Sequence, residues 1–473
     1  MRPDFLRAHL HSRREVLGLT AKAAAVTAAM SAGIGTGTAT ASSGEEFTDR
    51  MFTPDEVAGW AERTARRYGR DDQRGTWNEV TPERTRQALR VLEGRGPVRT
   101  YNLGELMQDN FPAFAGEPPR VLRQRLTVFG YQPQGDFVPA ANYDPRTHPE
   151  SGILQSPTPL GANTISFHEE RFPHGGTYQI ATQLDNLGHI GVGETYYNGH
   201  RGPDIATPRG LAKLGNEHLG PIVTRGVLYD IVGLKLAQGA RTDLFRSPVN
   251  GEWVLRDHYR ITLTDMRDAL RRQGVRREPG PGDVALFRTG WTHLLNRDGF
   301  DDPQDPHNRR YITAEPGIYL REARYLASRQ VALVGSDTWG LEVLDPAVTG
   351  QNVFPVHQVL LTQHGIRIGE GVRTEALAAD EAFEFVYLVT PQFHAGSTAS
   401  NTPPAALAAR PLRATRRLPP MPDPRAGGAT RSRPCRRAGR TARVRWKPSG
   451  RVPWRRTCAP ATRPRPSTWR STS

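Results

Sequence analysis

Gln179-Ile-Ala-Thr-Gln183-Leu-Asp185-Asn-Leu-Gly-His189, continuing to Tyr196-Tyr197-Asn198-Gly199, is the stretch on which the reading of this chain turns. If it starts as an extended strand, successive side chains alternate between faces, so Gln183 and Asp185 share one side while Thr182 and Leu184 point to the other. A strand that then becomes a loop can bring Gln179, Gln183, Asp185 and His189 to one pocket. Asp185 is a hard anionic metal ligand, and His189 titrates near neutral pH and can carry protons. Taken alone, an Asp-x-x-x-His spacing has bland readings too. Asp185 serves equally well as the partner of a buried arginine or as a helix cap, and His189 as a hydrogen-bonded core histidine.

Working outward, short apolar runs of strand length alternate with helical patterns. Gly226–Val232, Asp283–Arg288, Val331–Val334 and Phe385–Val389 are apolar on both faces, which predicts buried strands with helices packed outside. Helices are expected from Pro54 after Thr53, and from Pro82 after Thr81 with Ala88, Leu89 and Leu92 on one face and Gly94 as the stop. Two more are expected from Thr264 to Gly274 and from Thr313 to Arg329, the latter with Tyr319, Leu320, Ala323 and Leu326 inward. Mixed strands and helices without a repeat give the α/β class. No GxGxxG follows a strand and no GxxxxGK[ST] loop occurs, so nucleotide binding loses its usual support.

The formal charge of +15 is concentrated at the ends. Residues 401–473 hold 18 Arg and one Lys against a single acid, Asp423, which leaves the body mildly acidic. Both cysteines, Cys435 and Cys458, also lie there, so the body has neither a disulfide framework nor a thiolate metal site. From residue 403 the Arg/Pro-rich composition predicts a disordered tail, and nucleic-acid binding by it is not favoured. At the other end, Arg13-Arg14 precedes an Ala/Thr/Gly-rich stretch that closes on Ala39-Thr40-Ala41. That pattern is similar to a twin-arginine export signal over residues 1–41, placing the protein in the periplasm or outside the cell. The stretch is too poor in large apolar residues for stable membrane insertion. The expected organisation is thus a leader (1–41), an N-terminal helical extension (42–67), a catalytic domain (68–402) and the tail (403–473).

The opening stretch resembles the signature of the cyclase family, which includes kynurenine formamidase and isatin hydrolase, and within it the branch reading Gln-x-Gly-Thr-Gln-x-Asp-x-Leu-x-His. Here Gln179 and Gln183 stand where the fuller signature has histidines, and Ala181 replaces its glycine. Asp72–Pro82, Arg225–Asp230, Gly282–Trp291, Gly335-Ser-Asp337 and the span from His357 to Glu370 are similar to further family blocks, in the same order.

The resemblance implies a swivelling β/β/α domain with a mixed sheet or barrel core and outer helices. It also implies a metal-dependent hydrolase of a small amide, lactam, lactone or ester. Asp185, His357 and Glu370 would be the ligands of one divalent ion (Zn²⁺ or Mn²⁺), His189 the proton carrier and Thr182 an orienting group. Tyr197, Asn198 and Asp337 would line the pocket. Gln179 and Gln183 leave three readings open: one ion on three ligands, a harder ion that accepts amide oxygens, or no ion with the glutamines on substrate. A dehydratase or cyclase without net hydrolysis, and an exported binding protein that has lost catalysis, are the competing functions. The family also implies a homo-oligomer, dimer or tetramer, acting on a small molecule. His168, Glu169, Glu170 and His174 are expected to be solvated, and His364 to lie on the surface or in a loop.

Overall fold

A computed structural model describes residues 47–409, apart from 94–95, 115–118, 136, 140–141, 143, 145–146, 148–151, 159–160 and 173–175. The leader, Gly94, His174, both cysteines and residues 410–473 lie outside the described residues. No helix among the described residues is long and apolar enough to cross a membrane.

Nine strands form one mixed sheet: β1 (Val98–Asn102), β2 (Gln183–Asp185), β3 (Ile222–Asp230), β4 (Val284–Arg288), β5 (Leu333–Ser336), β6 (Arg367–Glu370), β7 (Glu384–Val389), β8 (Ala399–Ser400) and β9 (Ala405–Ala409). Their spatial order is β1-β9-β7-β3-β4-β5-β6-β2-β8. The four central strands β3 to β6 run parallel, and the pairings on either side are antiparallel. Helices α4 (Ile231–Gln238), α5 (Leu263–Gln273) and α7 (Leu320–Ser328) bury their apolar sides in one continuous core with Val227, Tyr229, Ala285, Phe287 and Val334. The opposite faces of the same strands, through Leu228, Leu286 and Leu333, pack with Trp77, Tyr101, Leu377 and Phe385. This two-sided burial is why the strand sequences read as unbroken apolar runs.

Two of the motif blocks turn out to hold the sheet together. Arg225 on β3 is buried and ion-pairs with Asp283 at 2.8 Å and Glu384 at 2.6 Å, tying β3, the entry to β4 and β7 at one end. Arg367 at the start of β6 lies over the Trp77 ring and donates to the Arg74 carbonyl at 2.6 Å, seating the 72–82 block on the sheet.

Several element boundaries differ from expectation. Helix α5 begins at Leu263, one residue before the expected Thr264, because Thr262 is the N-cap. Its side chain accepts the Asp265 N–H while the Asp265 carboxylate accepts from Thr262, and Gly274 closes the helix in the left-handed region at φ 69°. Of the helix expected over Thr313–Arg329 only α7 forms, and Thr313 instead ends the preceding helix, α6 (Pro306–Thr313). Between them Pro316 disfavours helix for its predecessor, and a Cβ on Gly317 would sit 2.3 Å from the Leu341 carbonyl oxygen. Helix α3 (Pro82–Leu89) buries Ala88 but leaves Leu89 exposed, because the chain tightens into a single 3₁₀ turn at Arg90–Leu92. Part of the segment from residue 403 belongs to the sheet. Ala405–Ala409 is a strand between β1 and β7, with Ala406 and Ala408 inward, and only its lack of bulk hid it in the composition.

Helices α1 (Pro54–Ala58) and α2 (Trp60–Tyr68) dock on the body through Asn198. That side chain donates to the carbonyls of Gly69, Arg70 and Asp72 at 3.0, 3.0 and 3.1 Å and accepts from Thr64 Oγ1 at 2.9 Å. Its backbone is left-handed, at φ 56°. Tyr197 beside it is buried and donates to Asp72 Oδ2 at 2.8 Å. Asn198→Ala should therefore cost about 2–4 kcal/mol, from lost bonds and backbone strain. A urea midpoint within error of wild type would refute this anchoring role.

His364 follows a π-helical turn (Gln358–Gln363) and is half-buried beneath α2. Burial first, then the charges of Arg63 and Arg324, push its pKa down to about 4. The unfolded chain, with an ordinary imidazole near 6.5, takes up a proton that the fold refuses, so His364 costs stability as pH falls from 6.5 towards 4. His364→Gln should remove roughly 1 kcal/mol of acid destabilisation between pH 7.5 and 4.5, a figure already reduced for partial exposure. Identical pH slopes in paired urea melts would count against it.

Candidate metal centre

Strands β2 and β6 lie side by side, with Gln183 opposite Glu370 and Asp185 opposite Ile368. The short helical turn Pro355–His357 follows Phe354 and delivers His357 to the same place. Asp185, His357 and Glu370 are all buried and offer ligand atoms that lie within 4.8 Å of one another. The late pair, 170 residues and more along the chain, thus meets the early one.

Each group is held from behind. Gln179 Nε2 donates to Asp185 Oδ1 at 2.8 Å, and Gln183 Nε2 donates to Glu370 Oε2. His357 Nδ1 meets Glu342 Oε1 at 2.7 Å, while Nε2 faces Glu370 Oε1 at 3.1 Å and Asp185 Oδ2 at 3.7 Å. Glu342 also accepts the backbone N–H groups of Val356 and His357, both at 3.1 Å. His189 Nε2 stands 3.7 Å from Asp185 Oδ2 as well. Two buried oxygens in this cluster have no hydrogen-bond partner: Asp185 Oδ2 and Gln183 Oε1.

The backbone is contorted where it carries these groups. Ala181, Leu341 and Phe354 are non-glycine residues in the left-handed region, at φ 57°, 61° and 51°, and each lies within four residues of a cluster member or its support. Such conformations cost about 1–3 kcal/mol each and gather at functional sites. Gly371 has φ +56°, and a Cβ there would sit 2.7 Å from the Ala181 carbonyl oxygen, so only glycine lets β2 approach Glu370 this closely. Thr182 spans the same junction, donating to the Gly371 carbonyl at 2.6 Å and accepting from the Glu105 N–H at 2.6 Å.

Three carboxylates, Asp185, Glu342 and Glu370, crowd a single imidazole. Burial opposes a charged His357 ring, yet hydrogen bonds and charge from Glu342 and Glu370 outweigh it and push its pKa up to about 10. Burial and then the Asp185 charge push Glu370 up to about 7, against the hydrogen bonds from His357 and Gln183. Burial lowers the His189 pKa, with Asp185 pulling the other way, so the ring is neutral at pH 7. The arrangement is rich in oxygen acceptors and short of positive charge. That donor set suits a divalent cation.

Residues 108–343 match the Cyclase family model, described as "Putative cyclase". Over that span the chain is similar to the cyclase family. A crystal structure described as a novel cyclase is similar at 28% identity and a TM-score of 0.54, covering 76% of this chain and 99% of that one. Isatin hydrolase A from Ralstonia solanacearum is similar at 15% identity and a TM-score of 0.41, over 66% of this chain and 92% of its own. Isatin hydrolase A from Labrenzia aggregata, bound to benzyl benzoate, is similar at 17% and 0.40, over 66% and 94%. No curated protein sequence matches the chain.

Not every residue singled out in the sequence reaches the cluster. Tyr197 and Asn198 are committed to Asp72 and to the N-terminal helices. Asp337 is buried at the end of β5, where it accepts from the N–H groups of Thr289 and Gly290, at 2.8 and 2.7 Å, and from the Thr289 hydroxyl at 2.5 Å. Its acceptors are spent on joining β4 to β5. His168 lies on a strand of a separate four-stranded sheet, mostly exposed beside Glu169 and Glu170. Conversely, Glu342 and Glu315 were missed. Glu315 is fully buried and accepts from the N–H groups of Trp339 and Gly340, at 3.0 and 2.7 Å. Neither sits in a motif that points to a ligand, and only the fold brings them near His357.

Proposed function

We propose that this protein is a metal-dependent hydrolase that opens a C–N or C–O acyl bond in a small amide, lactam, lactone or ester. Asp185 Oδ2 carries the reading: it is a carboxylate oxygen with no exposure and no donor, 3.7 Å from the Nε2 atoms of both His189 and His357. An orphaned buried anion of this kind is expensive unless something positive sits on it. Asp185, His357 and Glu370 would hold the ion, three protein ligands with a position left open, as catalytic zinc sites have. When bound, such an ion lowers the pKa of a coordinated water towards about 7 and polarises a carbonyl.

The rest is work for the chain's own side chains. Gln179 and Gln183 spend their N–H groups on the two ligand carboxylates, which supports a single ion with the glutamines as positioning groups. Glu342 fixes the His357 ring so that Nε2 faces Asp185 and Glu370. His189, neutral at pH 7, takes up a proton at Nε2 and returns it to the leaving group. Phe354 packs edge-on against the His357 ring, 4.9 Å between ring centres. Metal analysis of the purified full chain, paired with turnover of amide, lactam, lactone and ester panels before and after chelation, tests the proposal. Stoichiometric Zn or Mn and chelator-sensitive turnover are the expected result; turnover indifferent to chelation would overturn it.

A further inference from the structure

We propose that Arg120 anchors a carboxylate on the substrate, so that this centre prefers a flat, anionic acyl compound over its neutral counterpart. The inference rests on the hydrolase reading for the identity of the centre, but the anion anchor can be measured without catalysis. Arg120 is half-buried, and its guanidinium carbon lies 5.3 Å from the centre of the Trp339 ring. Among the described residues no carboxylate pairs with it, whereas nearby Arg297 is paired with Glu105 and Arg125 with Asp109 at 2.6 Å. An unpaired, partly desolvated guanidinium is costly to keep, and stacking on an indole leaves its edge donors free for an anion.

From Arg120 a continuous aromatic wall leads to the metal centre. Trp339 meets Phe114 at 4.4 Å, Phe114 meets Phe354 at 5.6 Å, and Phe354 meets His357 at 4.9 Å. Glu315 pins the wall by accepting the backbone N–H groups of Trp339 and Gly340. A Cβ on Gly340 would already meet Glu315, Phe354 and Phe114 at 3.2–3.7 Å, so the wall is closed there. Trp339 Nε1 is a buried donor without an acceptor. Arg120 also lines a cleft of about 350 Å³ together with Phe111, Phe300, Asp301 and Asp302. A guanidinium lying over an aromatic face suits a planar carboxylate, which takes its fork of donors in a bidentate manner.

Benzoate and its neutral counterpart benzamide are the probes, titrated by calorimetry into the full chain, metal-loaded and chelated, as wild type, Arg120→Gln and Arg120→Lys. Wild type should bind benzoate at least about ten-fold tighter than benzamide in both metal states, which corresponds to roughly 1.4 kcal/mol. R120Q should abolish the preference at an unchanged Tm, and R120K should keep part of it. No binding of benzoate, equal affinity for both probes, or a preference that survives in R120Q overturns the inference. A preference that vanishes on chelation does so too, because the ion would then be the holder. If the preference depends on Arg120 while no amide or ester is turned over, only the hydrolase reading falls.

Discussion

Replacing Asp185 with alanine should strip the divalent ion from the protein and lower kcat/KM by at least about 10³-fold, or roughly 4 kcal/mol of transition-state stabilisation. The same substitution should not weaken the metal-free fold, and this second readout separates a ligand from a structural acid. A buried aspartate that braced the fold would cost stability when removed, because its donors would be left unpaired. Asp185 has one donor, Gln179, at 2.8 Å, while its other oxygen has none. Its charge is instead a burden on Glu370, whose carboxyl it helps to push up to about 7. In chelated protein Asp185→Ala should therefore leave Tm unchanged or raise it. Adding Zn²⁺ or Mn²⁺ should raise the Tm of wild type but not of the variant, since a ligand stabilises only the state that binds it. A marked drop in Tm of the chelated variant, with metal still bound, would mean that Asp185 is part of the scaffold and the ion is held elsewhere.

How much of this was legible in the sequence depends on how far apart the cooperating residues lie. The strand alternation at Gln183-Leu184-Asp185 was readable because period-two geometry is local, and Leu184 does go to the opposite core from its neighbours. The buried strands were readable for the same reason. His357 and Glu370 came only from the family resemblance, since no spacing rule links them to Asp185. Glu342 lay beyond reach because its value comes from two backbone N–H groups and one ring nitrogen that the fold presents to it. Tyr197 and Asn198 misled in an instructive way. They stand beside the metal-binding stretch in sequence, but a left-handed turn at Asn198 sends them to the N-terminal helices. The strand Ala405–Ala409 was missed because alanines carry little apolar signal, although two of them are buried. Local pattern thus found the elements, while positions whose function depends on long-range closure needed the structure.

His189→Asn should lower kcat by about 10²–10⁴-fold while the protein keeps its full complement of metal. The argument is geometric first. His189 Nε2 is 3.7 Å from Asp185 Oδ2, close enough to exchange a proton with a group held at the cluster. Burial keeps the ring neutral at pH 7, so it enters the reaction as an acceptor rather than a donor. Unlike His357, whose Nδ1 is clamped by Glu342 at 2.7 Å, His189 has no carboxylate fixing it from behind among the described residues. A ligand needs that clamp to hold its orientation, whereas a proton carrier gains from freedom to tilt. The discriminating measurement is metal content beside turnover in the same preparation. Loss of both together would make His189 a fourth ligand and leave the proton carrier to be found elsewhere. Loss of turnover alone, with KM little changed, is the outcome that the free ring and the orphaned Asp185 oxygen require.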